Sequence, residues 1–226
     1  NVRGYLVLQI ILVHFLLLQQ FGSSFYYDSR IGFLLLITHI LASLSVGIFL
    51  GLLSRIPKKR SVSSLKSEFP ESKNRMSELS IEECILNSVQ TILMIGGFLL
   101  LFSVLISMMK ETHLLALLSD FLVPIFTFFQ IPSDFCTSFL SGIFELTTGL
   151  KGISTFLLKD MSVNLVLSAS ILGFGGLCVL LQVYGIISKE KLSIKPYFFG
   201  KLLQGILAAD YTFLILQTTC LFQFKI

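Results

Sequence analysis

Long apolar stretches separated by short polar segments divide the chain. A bilayer core about 30 Å thick is spanned by about 20 apolar residues of helix. The pattern therefore predicts five membrane-spanning helices, at residues 5–21, 31–53, 81–109, 161–187 and 196–224. The first of these stretches is short and is interrupted by Gln9 and His14.

The region between the third and fourth predicted spans has a mixed pattern. Residues 114–130 are apolar with polar interruptions, residues 131–134 form a turn, and residues 135–158 carry many polar positions. Ser133 at this turn is of a type that commonly caps a helix N-terminus. The pattern predicts a hairpin near 114–158 in which two half-helices dip into the membrane and return, with their turn at 131–134. Two full spans are the alternative.

Two basic segments predict the orientation of the chain. Residues 54–80 are polar and contain seven Lys or Arg residues, and they hold too few apolar residues to form a core. Lys and Arg concentrate in the cytoplasmic loops of membrane proteins, so we place this loop and residues 188–195 in the cytoplasm. The chain is thus divided into two transmembrane helices at 1–53, the basic loop, and a transmembrane domain at 81–226.

Composition narrows the class of protein. Hydrophobic residues make up 54% of the 226 residues and charged residues only 13%, whereas soluble domains have about 25% charged residues. The net charge of +4 is small and confined to loops, which argues against a nucleic acid partner. No catalytic motif occurs, and the four dispersed cysteines indicate neither a metal site nor a disulfide framework. We expect an all-α, polytopic membrane protein that is not an enzyme.

Candidate chemistry concentrates in residues 133–152. Polar residues recur there at spacings of 4, 3, 4, 3 and 4, which is one face of a helix; they are Asp134, Ser138, Ser141, Glu145, Thr148 and Gly152. An ionisable residue at membrane depth costs about 2.5 kcal/mol or more, so Glu145 needs a role or a partner. It either lines a cavity and binds substrate or a coupling ion, or it pairs with Lys151 or reaches an interface.

Four other positions are candidates for coupling or support. Asp210 lies about 21 Å along the last predicted span, and His39 lies alone in an apolar helix. The glycines at 173–176 predict either close helix packing or an unwound point opposite the polar stripe, which makes Gly175 and Gly176 candidates. Packing is the favoured interpretation for these glycines and for His39.

Several blocks of this sequence resemble a known family. They read SGIFELTTGLKGIS at 141–154, GFGGLCVLLQVYGIIS at 173–188 and SIKPYFFGKLLQGILA at 193–208, and they follow DSRIGFLLLITHILASLSVGIFLGLL at 28–53. In order and spacing they are similar to the C-terminal half of sporulation integral membrane proteins that carry the Gate, or nucleoside recognition, domain.

This resemblance implies transport. A member of the family moves dipicolinic acid, an organic dianion, across the outer forespore membrane during endospore formation. The resemblance also implies an inverted-repeat architecture with re-entrant hairpins, distantly similar to concentrative nucleoside transporters. Family members are about twice as long, so we expect this chain to be half of such a transporter, with an N-terminal half or an oligomer partner beside it. The other expected partners are the lipid bilayer and a small organic anion.

The resemblance and the polar residues together indicate a substrate site. Half-helix N-termini in such transporters direct their positive dipole ends at anionic substrates. The candidate binding residues are Ser133, Ser138, Ser141, Glu145, Thr147, Thr148 and Gly149. A carboxylate repels a dianion, so Glu145 is either protonated or holds a coupling proton or sodium ion, and we favour the second. No cofactor is expected.

Two alternatives to anion transport stay open. The first is transport of a nucleoside-type solute, which is neutral and would need more hydrogen-bonding side chains. The second is a non-transporting membrane scaffold for spore cortex or coat assembly. A scaffold predicts that substitutions in the polar stripe are silent, whereas changes in the 54–80 loop abolish function.

Overall fold

A computed structural model describes residues 28–55, 81–156, 160–187 and 194–218 of the chain. Within these ranges the chain is helical and has no strands, as the sequence predicts. The helices are α1 (Ser29–Arg55), α2 (Ile81–Glu111), α3 (Leu114–Asp120), α4 (Val123–Phe128), α5 (Phe135–Phe144), α6 (Leu146–Ser154), α7 (Met161–Phe174), α8 (Gly176–Ile187) and α9 (Lys195–Thr218).

Four segments of this part of the chain are long and apolar enough to cross a membrane. They are Arg30–Leu52, Ser88–Glu111, Met161–Gly185 and Lys195–Thr218. These correspond to four of the five predicted spans. The remaining predicted span at 5–21 and the basic loop predicted at 54–80 lie outside the described residues, apart from the end of α1.

The predicted hairpin region consists of the short helices α3 to α6. They are 6 to 10 residues long, so none of them spans a bilayer alone. The turn at 131–134 separates α4 from α5, and Asp134 rather than Ser133 occupies the N-cap position of α5. The prediction that Ser133 caps this helix is therefore wrong.

The long helix expected over 135–158 breaks at Glu145. The backbone there is extended, with φ −143° and ψ 120°, and this residue separates the end of α5 from the start of α6. The prediction of one continuous polar stripe is therefore wrong, because the residues before and after Glu145 belong to different helices.

Helices α5 and α6 form an antiparallel hairpin, which we call the tip hairpin. A Cβ atom added to Gly149 would collide with the backbone of Gly142, and one added to Gly152 would lie 2.6 Å from Ser138 Oγ. In each pair, the two residues lie about equally far before and after residues 145 and 146 along the chain. The chain therefore reverses direction at these two residues. The closely packed half-helices α5 and α6 are thus joined at Glu145. Helix α3 also contacts α5 across the predicted turn, where Ser119 Oγ and Thr137 Oγ1 lie 3.2 Å apart.

Small residues also bring α7 and α9 together. A Cβ atom on Gly173 would lie 2.7 Å from Gly205 Cα, and one on Gly205 would lie 2.9 Å from the Ser170 carbonyl oxygen. Membrane helices commonly approach each other through such residues. The packing interpretation of the glycine run thus holds for Gly173.

The core lies where α1, the tip hairpin, α7 and α9 meet. Its fully buried side chains include Leu35, Phe135, Leu150 and Ile171. Helix α2 instead exposes apolar residues along much of its length, such as Leu93 and Leu100. A core of this kind holds the tip hairpin firmly against α7, while the exposed apolar surface is suited to lipid.

Candidate functional site

The tip of the hairpin is built around the Glu145 carboxylate, which is only 2% exposed. Its Oε1 accepts hydrogen bonds from the Thr147 backbone N–H at 2.7 Å and from Thr147 Oγ1 at 2.6 Å. Its Oε2 accepts from the Thr148 N–H at 2.7 Å. Glu145 is therefore the N-cap of α6, a position that requires extended backbone and explains why the helix breaks there.

The N-cap position determines how the buried charge of Glu145 is stabilised. The carboxylate lies at the positive end of the α6 dipole and satisfies N–H groups that have no partner inside the helix. The alternative in which Glu145 pairs with Lys151 is wrong, because Lys151 is exposed and the carboxylate bonds to the first turn of its own helix.

The second irregular point of the fold lies between α7 and α8. Gly175 and Gly176 have φ angles of 85° and 80°, in the left-handed region that favours glycine. The Gly175 N–H donates to the Ile171 carbonyl oxygen at 2.8 Å and closes α7. The apolar span is thus two helices joined by a break, which agrees with the unwound interpretation for these two glycines.

The hairpin tip and this break are in contact. A Cβ atom on Gly176 would lie 3.3 Å from both the Gly142 carbonyl oxygen and the Leu146 nitrogen, and 3.5 Å from the Phe144 carbonyl oxygen. Four helix ends therefore meet here: the C-termini of α5 and α7 and the N-termini of α6 and α8. Helix ends carry backbone donors and acceptors that lack partners within the helix, so this region can bind polar or charged groups.

Two residues on α8 extend the polar region and were missed by the sequence analysis as site residues. The Cys178 thiol is buried in the first turn of α8, directly after the glycine break. Gln182 Nε2 in turn donates to Cys178 Sγ at 3.3 Å. Their spacing in the sequence could have indicated them, because residues 178 and 182 follow the glycine break and lie on one face of a helix.

Several predicted binding residues support the hairpin from inside. Ser141 is buried, its hydroxyl donates to the Thr137 carbonyl oxygen at 2.9 Å, and its own carbonyl accepts from the Glu145 N–H at 2.8 Å. Ser138 and Gly149 lie at the contact between α5 and α6. Thr147 is exposed beside the tip, so its hydroxyl is accessible as well as bonded.

Three predicted residues are not brought to the tip. Ser133 precedes α5, at the opposite end of a ten-residue helix that is about 15 Å long. His39 is buried between α1 and α9, where its Nε2 lies 3.3 Å from Gln204 Nε2. Asp210 lies on an exposed face of α9. The structure thus associates Glu145, Thr147, Thr148 and Gly176 and leaves these three elsewhere.

Comparisons with known proteins show which family this chain resembles. Residues 92–190 match the Gate family, described as "nucleoside recognition", and this range contains both the tip hairpin and the glycine break. The chain is 32% identical over 207 residues to the sporulation integral membrane protein YlbJ of Bacillus subtilis. That match covers 85% of this chain and 50% of the relative, so the chain spans about half of the relative's length. No solved structure matches the chain.

These matches and the four apolar helices identify an integral membrane protein. The family resemblance predicted from the sequence is confirmed: the chain is a relative of a sporulation membrane protein, and its residues 92–190 carry the match to the Gate family.

Proposed function

We propose that this chain is part of a membrane transporter, rather than an enzyme, and that its solute site lies where the hairpin tip meets the Gly175–Gly176 break. The observation that carries the proposal is the contact of Gly176 with the backbone of residues 142–146. Irregular backbone is tolerated at membrane depth where it is buried in protein or lines a cavity. Broken helices of this kind supply the solute and ion sites of many secondary transporters.

A small organic anion is the proposed solute, and dipicolinate is the first candidate. The N–H groups at the start of α6 are already bonded to Glu145. A carboxylate of the solute would therefore accept hydrogen bonds from the backbone N–H groups at the start of α8. A proton or sodium ion at Glu145 would offset the repulsion between the two negative groups and couple its own movement to that of the solute.

The biological setting is proposed from the relative. YlbJ is a sporulation protein by name, so we propose that this chain acts during endospore formation, in the outer forespore membrane. Because the match covers half of that relative, we also propose that the working transporter contains further membrane helices, either in the same polypeptide or in an oligomer partner.

A nucleoside-type solute is the second candidate, and one feature favours it. Glu145 and Thr147 present a carboxylate and a hydroxyl side by side, and nucleosides carry the sugar hydroxyls that such groups bind. A neutral solute also avoids the charge repulsion at Glu145. The description of the matching family as "nucleoside recognition" points the same way.

Uptake by the full-length protein in proteoliposomes tests both candidates. We expect uptake of dipicolinate, inhibition by unlabelled dipicolinate but not by uridine, and loss of uptake in Glu145→Gln. Gly97→Ala is the matched control, because a Cβ atom there meets nothing within 4 Å. Uptake of uridine alone would replace the first candidate by the second. Normal uptake in Glu145→Gln would refute the placement of the site.

The same variants test the scaffold alternative in spores. A transporter predicts that Glu145→Gln lowers spore dipicolinate while the protein still reaches the membrane. A scaffold predicts normal dipicolinate in Glu145→Gln and defects only when the loop at 54–80 is changed.

A further inference from the structure

The exposed surface of the tip hairpin and α7 is polar throughout. Among the described residues from 131 to 180, every exposed residue has a polar side chain; they are Ser133, Asp134, Thr147, Lys151, Thr155 and Ser162. Helix α2, in contrast, exposes large apolar side chains such as Leu93 and Leu100. Lipid is a suitable neighbour for α2, whereas charged and polar side chains at membrane depth face protein or water.

Helix α6 separates these polar residues from the core. Leu150 and Ile153 are buried on one side of the helix. Thr147, Lys151 and Thr155 are exposed and recur every four residues on the other side, which we call the polar face of α6. A helix with one apolar and one polar side normally directs the polar side at water.

Helix α6 nevertheless lies within the depth of a membrane span. Its start contacts Gly176, and near its end the Ile153 carbonyl oxygen accepts a hydrogen bond from Asn164 Nδ2 at 2.6 Å. In the span that begins at Met161, Asn164 and Gly176 lie about 4.5 Å and about 22 Å along the helix axis. Helix α6 therefore runs back along α7, from the hairpin tip toward the start of that span.

We propose that the polar face of α6 lines a water-filled path from the membrane surface to the hairpin tip, and that Lys151 admits an anionic solute to this path. The path rests on the proposed transport function, because it leads to the same site. Its inner end is at Thr147, whose hydroxyl is bonded to Glu145. Lys151 lies about 6 Å closer to the membrane surface.

The side chains of this region leave the path open to water. The hydroxyls of Ser154 and Thr155 donate to carbonyl oxygens of their own helix, at 2.9 Å and 2.6 Å. No described residue forms a hydrogen bond or ion pair with the Lys151 ammonium. An ammonium in this position is stabilised by water or by an anion, and the proposed path carries both.

The charges around Lys151 give it a specific role. It is the one cation among the described residues from 131 to 180. The acidic residues there are Asp134 and Asp160, at the starts of α5 and α7, and Glu145 at the tip. The start of α5 lies beside the end of α6, since the rings of Phe135 and Phe156 are 4.9 Å apart. Without Lys151, an anion would meet only like charges between the membrane surface and the tip.

Cysteine labelling of the full-length protein tests the path. Thr147→Cys and Lys151→Cys are treated in opened membranes with a charged, membrane-impermeant methanethiosulfonate, and mass spectrometry identifies the modified residue among the native cysteines. Leu100→Cys is the control, because this residue is 70% exposed but lies in the apolar surface of α2. We expect modification at residues 147 and 151 and none at residue 100, since the reactive thiolate forms in water.

Two labelling results would overturn the path. Absence of modification at both 147 and 151 would show that lipid or another helix covers the polar face. Equal modification at all three positions would show that this face is no wetter than the surface of α2.

Uptake of dipicolinate tests the role of Lys151. In Lys151→Gln we expect the concentration for half-maximal uptake to rise about tenfold at low ionic strength, with the maximal rate unchanged, because electrostatic attraction raises the local anion concentration by about this factor or more. The difference should shrink in high salt, which screens the charge. Lys151→Arg keeps the charge and should behave like the unsubstituted protein. Equal half-maximal concentrations in Lys151→Gln and Lys151→Arg would refute the role of this charge.

Failure of the path and failure of the transport function give different results. An unsubstituted protein that takes up dipicolinate while residues 147 and 151 stay unmodified would refute the path alone. An unsubstituted protein that takes up neither dipicolinate nor uridine would refute the transport function, and the admission of an anion by Lys151 would be refuted with it.

Discussion

Gly149→Ala tests the close packing of the hairpin that holds the candidate site. A Cβ atom at this position collides with the Cα and nitrogen of Gly142 and would also lie 3.2 Å from the Ser138 carbonyl oxygen. All of these are backbone atoms, so no side-chain rotation relieves the collision. The two half-helices must move apart, and the hairpin loses the contact along its length.

The size of the effect follows from this geometry. Forcing one extra carbon into a packed interior costs about 1–3 kcal/mol, and a contact made with backbone atoms belongs at the upper end of that range. For a chain of this length, each kcal/mol lowers the melting temperature by about 2–4 °C. We therefore expect Gly149→Ala to unfold about 6–12 °C below the unsubstituted protein in detergent.

Two matched variants make the prediction specific. At Gly142 the nearest atoms to an added Cβ belong to the side chain of Ile171, which can shift more readily than backbone atoms, so Gly142→Ala should be milder. At Gly97 nothing lies within 4 Å, and alanine is the better helix former by about 1 kcal/mol, so Gly97→Ala should be neutral or stabilising. Thermal unfolding should rank the loss as Gly149, then Gly142, then Gly97. Equal melting temperatures for Gly149→Ala and Gly97→Ala would refute the close packing of the hairpin.

The remaining predictions concern the cap, the helix break and one buried hydrogen bond. Glu145→Ala should lower stability by about 1–3 kcal/mol, because two N–H groups lose their acceptor. Glu145→Gln keeps one acceptor oxygen and should lose less stability. Equal losses of stability in the two variants would argue against capping. Gly175→Ala should cost about 1–2 kcal/mol because its φ is positive, and Gly175→Asn should cost less; the reverse order would contradict the left-handed backbone. Asn164→Ala should cost about 1–3 kcal/mol, because Asn164 Nδ2 donates to the buried Ile153 carbonyl oxygen at 2.6 Å. Thr127→Ala, in an exposed part of α4, is its control and should change stability by less than about 0.5 kcal/mol. Thermal unfolding measures all of these.

The sequence was sufficient to predict the helical membrane class and four of the spans. Their signal is the length of uninterrupted apolar residues, which depends on the thickness of the bilayer and hardly on tertiary contacts. The family resemblance was equally accessible, because it rests on blocks of residues in a fixed order. Glu145 also stood out in the sequence as a candidate site residue, since a carboxylate is rarely kept at membrane depth without a reason.

The path of the chain through the site could not be predicted in the same way. The spacing from Asp134 to Gly152 fits one helix, and a break at Glu145 leaves that spacing unchanged. Only the bonds from Thr147 and Thr148 reveal that Glu145 caps a second helix. The partnership of Gly176 with the hairpin tip depends on contacts between residues 30 to 34 positions apart, which periodicity does not encode.

The cap at Glu145 has a consequence for biogenesis. Its carboxylate bonds to donors two and three residues ahead in the chain, so its negative charge is accommodated before any other helix arrives. The segment from Phe135 to Ser154 can therefore leave the translocon as a preformed unit, with its acid already shielded from the acyl chains. Later helices then need not supply a counterion to bring this acid into the bilayer.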